Sequence, residues 1–268
     1  MKTIFLLLLF ILTLEAKERI ISLSPSLSEI VYALKKGESL VATSEYSLYP
    51  KEAAQLPIIG NYFSPNIEKI LTLTPTLVIG QDFNKETLDK LKKFHIKTLM
   101  LRSQTIDEIK ESILKLSNEL QADPAPLIDE IDLAIKNSPK SKTPHKVMIV
   151  YGLEEDLRSN IFIAGKGIFF DDIISLSNNT NAYSSRVTNQ PSLSYENVIA
   201  LDPDQIIIIH SRASNPNINE QKALNEWYKL PTNASKNRRI TVIDESYIHI
   251  PSHRVALTIK RLCEEMSR

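Results

Sequence analysis

Two passages of this chain follow one plan, and that constrains its fold more than any other feature. Residues 67–81 read IEKILTLTPTLVIGQ and residues 195–209 read YENVIALDPDQIIII. At one constant offset Glu68 meets Glu196, Leu73 meets Leu201 and Pro75 meets Pro203, while apolar positions 70, 71, 78 and 79 face 198, 199, 206 and 207. Each copy carries apolar residues at helical spacing, then a proline that stops the helix, then an apolar run of strand length. A helix–strand unit written twice predicts two related α/β lobes.

The surrounding sequence agrees. Arg19 to Leu23, Leu40 to Thr43, Leu77 to Gly80 and Lys97 to Leu101 read as short strands. Leu27 to Leu34, Ile67 to Leu73 and Thr87 to Phe94 read as the helices between them, with Ser26 or Ser28 available to cap the first. In the second half Val147 to Val150 and Ile161 to Ala164 are strands and Phe169 to Leu176 is a helix. Such alternation predicts Rossmann-like lobes, each with a parallel sheet covered by helices. Between them Thr105-Ile106-Asp107-Glu108 opens like a capping box, and Ile109, Ile113, Leu116 and Leu120 line one helical face. After Asp123-Pro124 a second helix runs to about Asn137; at 1.5 Å per residue it spans about 21 Å, enough to bridge two lobes. The polar, proline-stiffened stretch Ser138 to Pro144 follows. The expected organisation is an export signal over 1–16, an N-terminal lobe over 17–104, a helical linker with one backbone helix over 105–142, and a C-terminal lobe over 143–268.

The export signal rests on Lys2, the unbroken apolar run Ile4 to Leu12, and small Ala16 before the expected cleavage point. Nine apolar residues suit a signal-peptide core and fall short of the roughly 20 that span a bilayer. Charge is balanced at 32 basic and 32 acidic residues, which points away from nucleic acid. Cys263 is the only cysteine, so an intrachain disulfide and a thiolate zinc cluster are both excluded; its surroundings fit a buried helix position.

At Arg19-Ile20-Ile21-Ser22-Leu23-Ser24-Pro25-Ser26 the chain resembles the binding proteins of iron-siderophore, heme and cobalamin ABC importers. The resemblance continues through Tyr46 to Pro50, Ile59-Gly60, the Glu68 repeat, Gly165 to Ile173 and Ser194 to Ile209. It implies two lobes joined by a rigid helix, a metal chelate held in the cleft between them, and delivery to a permease dimer in the inner membrane by a monomeric periplasmic protein. It also implies that one exposed glutamate on each lobe engages the permease, and Glu68 and Glu196 match those positions. The chain departs from the family pattern in a shorter linking helix, in Ser177-Asn178-Asn179-Thr180-Asn181 where a glycine-rich turn is expected, and in a lone tryptophan, Trp227, outside the cleft loops.

Ligands of α/β sheets sit beyond the carboxyl ends of the strands, so the loops there supply candidates. Tyr46, Tyr62, Phe63 and Phe83 are expected to wall a flat or bulky ligand, since aromatic rings give contact area at low entropic cost. Arg186, Arg212 and Arg254 are candidates to neutralise an anionic chelate. Tyr247-Ile248-His249-Ile250-Pro251-Ser252-His253 brings aromatic and imidazole groups together. His249 or His253, with Tyr247, either ligates a chelated metal or makes a cap or cleft hydrogen bond. The protein itself needs no cofactor on this reading; the metal, whether iron, cobalt or nickel, arrives with the ligand. Catalysis is the rival expectation, yet Gly-x-Gly-x-x-Gly, a Walker loop and a nucleophile elbow are all absent from a chain with six glycines. A ligand sensor of the same fold and a binder of bare nickel or zinc are two further rival expectations.

Overall fold

The computed structural model describes residues 18–185, 190–210 and 217–268; the expected signal segment, Arg186 and Arg212 lie outside them. Strands β1 (Ile20–Ser22), β2 (Leu40–Ala42), β3 (Leu77–Gln81) and β4 (Lys97–Leu101) pair in parallel in the order β2-β1-β3-β4. Helices α1 (Pro25–Ala33), α2 (Ile67–Thr72) and α3 (Lys85–Lys92) make the crossovers. Every residue of β3 is buried, as a strand covered on both faces must be, so its sequence is apolar without alternation. Helix α1 starts at Ser24 with Pro25 in its first turn, where a missing N–H costs nothing. Neither Ser26 nor Ser28 caps it: both lie inside the helix, and the Ser28 hydroxyl pairs with Thr43 Oγ1 at 2.6 Å.

Next come α4 (Ile106–Glu119) and α5 (Ala125–Asn137). Thr105 caps α4 by accepting from the Glu108 N–H at 3.2 Å. Glu108 Oε2 in turn accepts from the N–H of Gln104 rather than Thr105, one residue short of a full capping box. Helix α5, 13 residues or about 20 Å long, passes from the first sheet to the second. It ends at Asn137, and beyond it the Ser141 N–H meets the Ser177 carbonyl at 2.8 Å.

The second half contains β5 (Lys146–Tyr151), β6 (Ile161–Ile163), α6 (Phe169–Leu176), β7 (Thr180–Asn181), β8 (Ser192–Leu193), α7 (Tyr195–Leu201), β9 (Gln205–Ile209), α8 (Glu220–Lys229), α9 (Asn233–Lys236), β10 (Ile240–Ile243) and α10 (Val255–Met266). Its parallel part runs β7-β5-β9-β10, the same order as the first sheet; β6 and β8 add antiparallel pairs, so this sheet is mixed rather than wholly parallel.

The sequence repeat is a structural repeat. Asn66 and Ser194 cap α2 and α7, accepting from the N–H of Lys69 and Asn197. Thr74 and Asp202 then turn the chain in the left-handed conformation, at φ 43° and 45°. An Arg19 guanidinium nitrogen donates to the Leu73 carbonyl at 2.7 Å, and Lys146 Nζ donates to the Leu201 carbonyl at 3.0 Å. Each cation thus closes the C-terminal end of its helix, where the backbone carbonyls and the helix dipole favour positive charge. Where the family resemblance anticipates a glycine turn after α6, Asn178 takes the left-handed conformation at φ 63°, which asparagine tolerates better than most residues.

One apolar core runs through both halves: Ile20, Leu27, Ile79, Ile113 and Ile131 belong to the same cluster as Ile149, Phe170, Ile207 and Ile259. Trp227 sits in a second cluster beneath the other face of the second sheet, away from the cleft. Cys263 is buried on α10, and burial pushes its thiol up to about 11. No helix among the described residues is long and apolar enough to cross a membrane.

Candidate ligand-binding cleft

The carboxyl ends of the strands from both sheets converge on one cleft. On the first side they place Ser24 after β1, Gln81 at the end of β3 and Ser103 after β4. All three are buried in one hydrogen-bonded floor: Ser24 Oγ donates to Gln81 Oε1 at 3.2 Å, the Ser24 and Ser26 hydroxyls lie 2.9 Å apart, and Gln81 Nε2 donates to Ser103 Oγ. Asn84 ties the floor to the wall. Its Oδ1 accepts from the Gln81 N–H at 2.9 Å, and its Nδ2 donates to the Tyr62 carbonyl at 2.6 Å.

The wall is aromatic. Tyr62 and Phe63 have ring centroids 4.2 Å apart, Phe63 and Phe83 5.3 Å, and Tyr62 and Phe83 5.8 Å. Phe63 is 65 % exposed and Phe83 43 %, a large apolar surface left open beside a buried polar floor. Tyr46, 67 % exposed, lies near enough to Tyr62 to raise its hydroxyl further, after burial has already done so. The four aromatic residues expected from sequence are therefore brought together.

Across the gap stand Tyr151, Ile168, Phe169, Gln190 and Pro251, and together with Phe63, Gln81, Asp82, Phe83, Ser103 and Gln104 they enclose a cavity of about 260 Å³. Hydrogen bonds join the halves at its edge: the Phe169 N–H donates to the Gln104 carbonyl at 2.5 Å, and the Ile106 N–H to Asp172 Oδ2 at 2.9 Å. Tyr151, at the end of β5, stacks on His249 at 6.1 Å and meets Phe170 edge-on at 5.8 Å. Burial, with His210 alongside, pushes the His249 imidazole down to about 4, so it is neutral at neutral pH and keeps a lone pair. His210 follows β9 and is buried, and its Nε2 has no hydrogen-bond partner.

Arg254 is engaged within the protein and is absent from the lining of this cavity. It is buried; its guanidinium donates to both oxygens of Glu29, at 2.9 Å from Nε to Oε2, and lies over the Tyr49 ring at 4.0 Å. Ser252 Oγ donates to the same Glu29 Oε2 at 2.5 Å. Glu29 belongs to α1 and Arg254 precedes α10, so this ion pair links the two halves. Tyr247 lies 6.0 Å from Arg254. His253, pushed down to about 4 by burial and then by Arg254, lines a separate cavity of about 440 Å³ with Glu29, Tyr32 and Tyr49. Among the described residues no three or more His, Cys, Asp and Glu side chains converge in a way that would hold a bare metal ion.

Sequence reasoning passed over Tyr151, Phe169, Gln104 and Glu29, while Gln190 ends a loop, Ser184 to Gln190, that it places at the cleft. Tyr151 carried a usable signal, since it directly follows the strand run Val147 to Val150; Phe169 did not, being hidden in a helical pattern. Glu68 and Glu196 stand exposed in the first turns of α2 and α7, at equivalent places in the repeat. Hydrogen bonds, the Ser194 hydroxyl foremost, hold the Glu196 carboxyl below the usual range.

The periplasmic binding protein family matches residues 20–247, most of the chain. The chain belongs to that family. A vitamin B12-binding protein of Vibrio parahaemolyticus is 30% identical over 259 residues, covering 93% of this chain and 90% of that protein. Among solved structures, the periplasmic vitamin B12-binding protein BtuF of Vibrio cholerae superposes with a TM-score of 0.73 at 27% identity, covering 93% of this chain and 96% of that one. The periplasmic heme-binding protein HutB of the same organism gives 0.75 at 25%, covering 92% and 99%. Members of the periplasmic binding protein family are the substrate-binding components of ABC importers, with a small-molecule ligand and a membrane permease as partners. These relatives are binding proteins, in keeping with the absence of catalytic motifs.

Proposed function

We propose that this chain captures a cobalamin-class metal chelate in the cleft between its halves and carries it to an inner-membrane permease. The observation that carries this is the Tyr62–Phe63–Phe83 wall, its two phenylalanines exposed, facing Tyr151 and Phe169 across the gap. Two opposed aromatic surfaces suit a flat macrocycle, which buries a large apolar face on each side. The names of the relatives at 30% and 27% identity favour vitamin B12 as the cargo. The chelated metal, cobalt on this reading, enters with the ligand, and the protein supplies no metal of its own. Residues 1–16 act as the export signal, with cleavage near Ala16. The mature chain works as a monomer, and Glu68 and Glu196 meet the permease, one from each half.

A second reading is heme. It is favoured by the neutral His249 stacked on Tyr151, which lines the cavity opposite the aromatic wall, because both side chains can ligate iron. Thermal unfolding of residues 17–268 against cyanocobalamin, heme, ferric siderophores, and bare nickel and zinc ions separates the readings. Ligand at a hundredfold excess over its dissociation constant adds about 2.7 kcal/mol, a rise of roughly 5 to 10 °C in a chain of this size. Cyanocobalamin alone is expected to give that rise. A response to heme alone moves the cargo to the second reading, and a response only to bare metal removes the chelate reading.

A further inference from the structure

We infer that the cleft sorts chelates by charge, with Asp82 as the residue that turns away ligands bearing carboxylates. The inference rests on the proposed use of this cleft and deepens it. Among the described residues that line the cavity, Asp82 is the one charged side chain; the polar remainder is carboxamide and hydroxyl, from Gln81, Gln104, Gln190 and Ser103. Asp82 is fixed in place. It follows β3 directly, and its Oδ1 accepts from the Phe83 N–H at 2.9 Å, which sets the carboxylate beside the aromatic wall.

The arginine that bridges the two halves does not offset this charge. Arg254 pairs through its Nε and one terminal nitrogen with the two oxygens of Glu29, and its plane lies over Tyr49, so its charge is answered by a carboxylate inside the protein. A carboxylate-bearing chelate entering the gap therefore meets a like charge at short range, in a site partly shielded from water, and the repulsion counts directly against its affinity. A carboxamide at the same position carries both a donor and an acceptor, which is the chemistry that glutamine and serine side chains satisfy. The class selected is a neutral, amide-decorated macrocycle, and the class excluded is the same macrocycle with free acid side chains.

The test uses isosteric pairs: cyanocobalamin against its monocarboxylic acids, and heme bis-amide against heme, titrated into the full mature chain by calorimetry. In whichever pair binds, the amide form is expected to bind about tenfold more tightly at low salt, and the gap should shrink as ionic strength rises. Asp82→Asn keeps the acceptor for the Phe83 N–H and is expected to close most of the gap, by strengthening binding of the acid form. Equal or tighter binding of the acid form by the wild-type chain overturns the inference while leaving the proposed cleft function intact. So does a gap that Asp82→Asn does not narrow. Failure of every compound in both pairs to bind overturns the proposed function, and this inference with it.

Discussion

Replacing Glu29 by alanine is expected to lower the unfolding free energy by about 3–5 kcal/mol, the usual consequence of leaving a buried partner charge unanswered. Glu29 and Arg254 have side chains only 3% and 8% exposed, and the removal strands a guanidinium between the two halves of the molecule. In a chain of this length the melting temperature should fall by roughly 6 to 20 °C. Burial pushes the Glu29 carboxyl up, outweighing the opposing pull of Arg254 and Ser252, so desolvation takes back much of what the pairing gives. It follows that Glu29→Met combined with Arg254→Met should recover most of the loss, because the desolvation cost disappears together with the attraction. Denaturant titration of the three variants measures this. A Glu29→Ala variant within about 1 kcal/mol of wild type would show that the pair is solvated, as surface pairs are, and does not join the halves.

The second large effect is on transport. Glu68→Ala with Glu196→Ala is expected to leave ligand affinity where it is and to cut uptake about tenfold or more, since each carboxylate is exposed and neither lines the cleft. Two carboxylates at equivalent places on two related halves report the spacing of those halves to whatever binds them. Single substitutions should each give a partial loss. Uptake assays in a strain deleted for the chain and complemented with each variant provide the measurement. Unchanged uptake by the double variant would remove the assignment of these two residues to the permease contact.

Much of the fold was legible because the repeat writes local physics twice. The cap, the helix, the left-handed turn, the proline and the buried strand are all set by neighbouring residues, so Ile67–Thr72 and Tyr195–Leu201 with their strands could be found by pattern alone. The aromatic wall was legible for a related reason: large apolar side chains in loops after strands have few other uses. What escaped depends on contacts between residues distant in sequence. Nothing near Glu29 announces Arg254, which lies 225 positions away, and an arginine beside a ligand loop looks the same whether it faces a ligand or a buried carboxylate. The antiparallel direction of β6 and the whole of β8 escaped as well, because strands of three and two residues carry too little pattern to fix a direction.

On the proposed function, a chelate binds between the halves against the exposed rings of Phe63 and Phe83. Equilibrium titration of cyanocobalamin into the wild-type mature chain and into Phe63→Ala/Phe83→Ala tests it most directly. Both rings are exposed, so their loss should leave the fold standing. One saturable site is predicted in the wild type, with affinity at least about tenfold weaker in the double variant. Equal affinity in both proteins, or no saturable binding in the wild type, would contradict it.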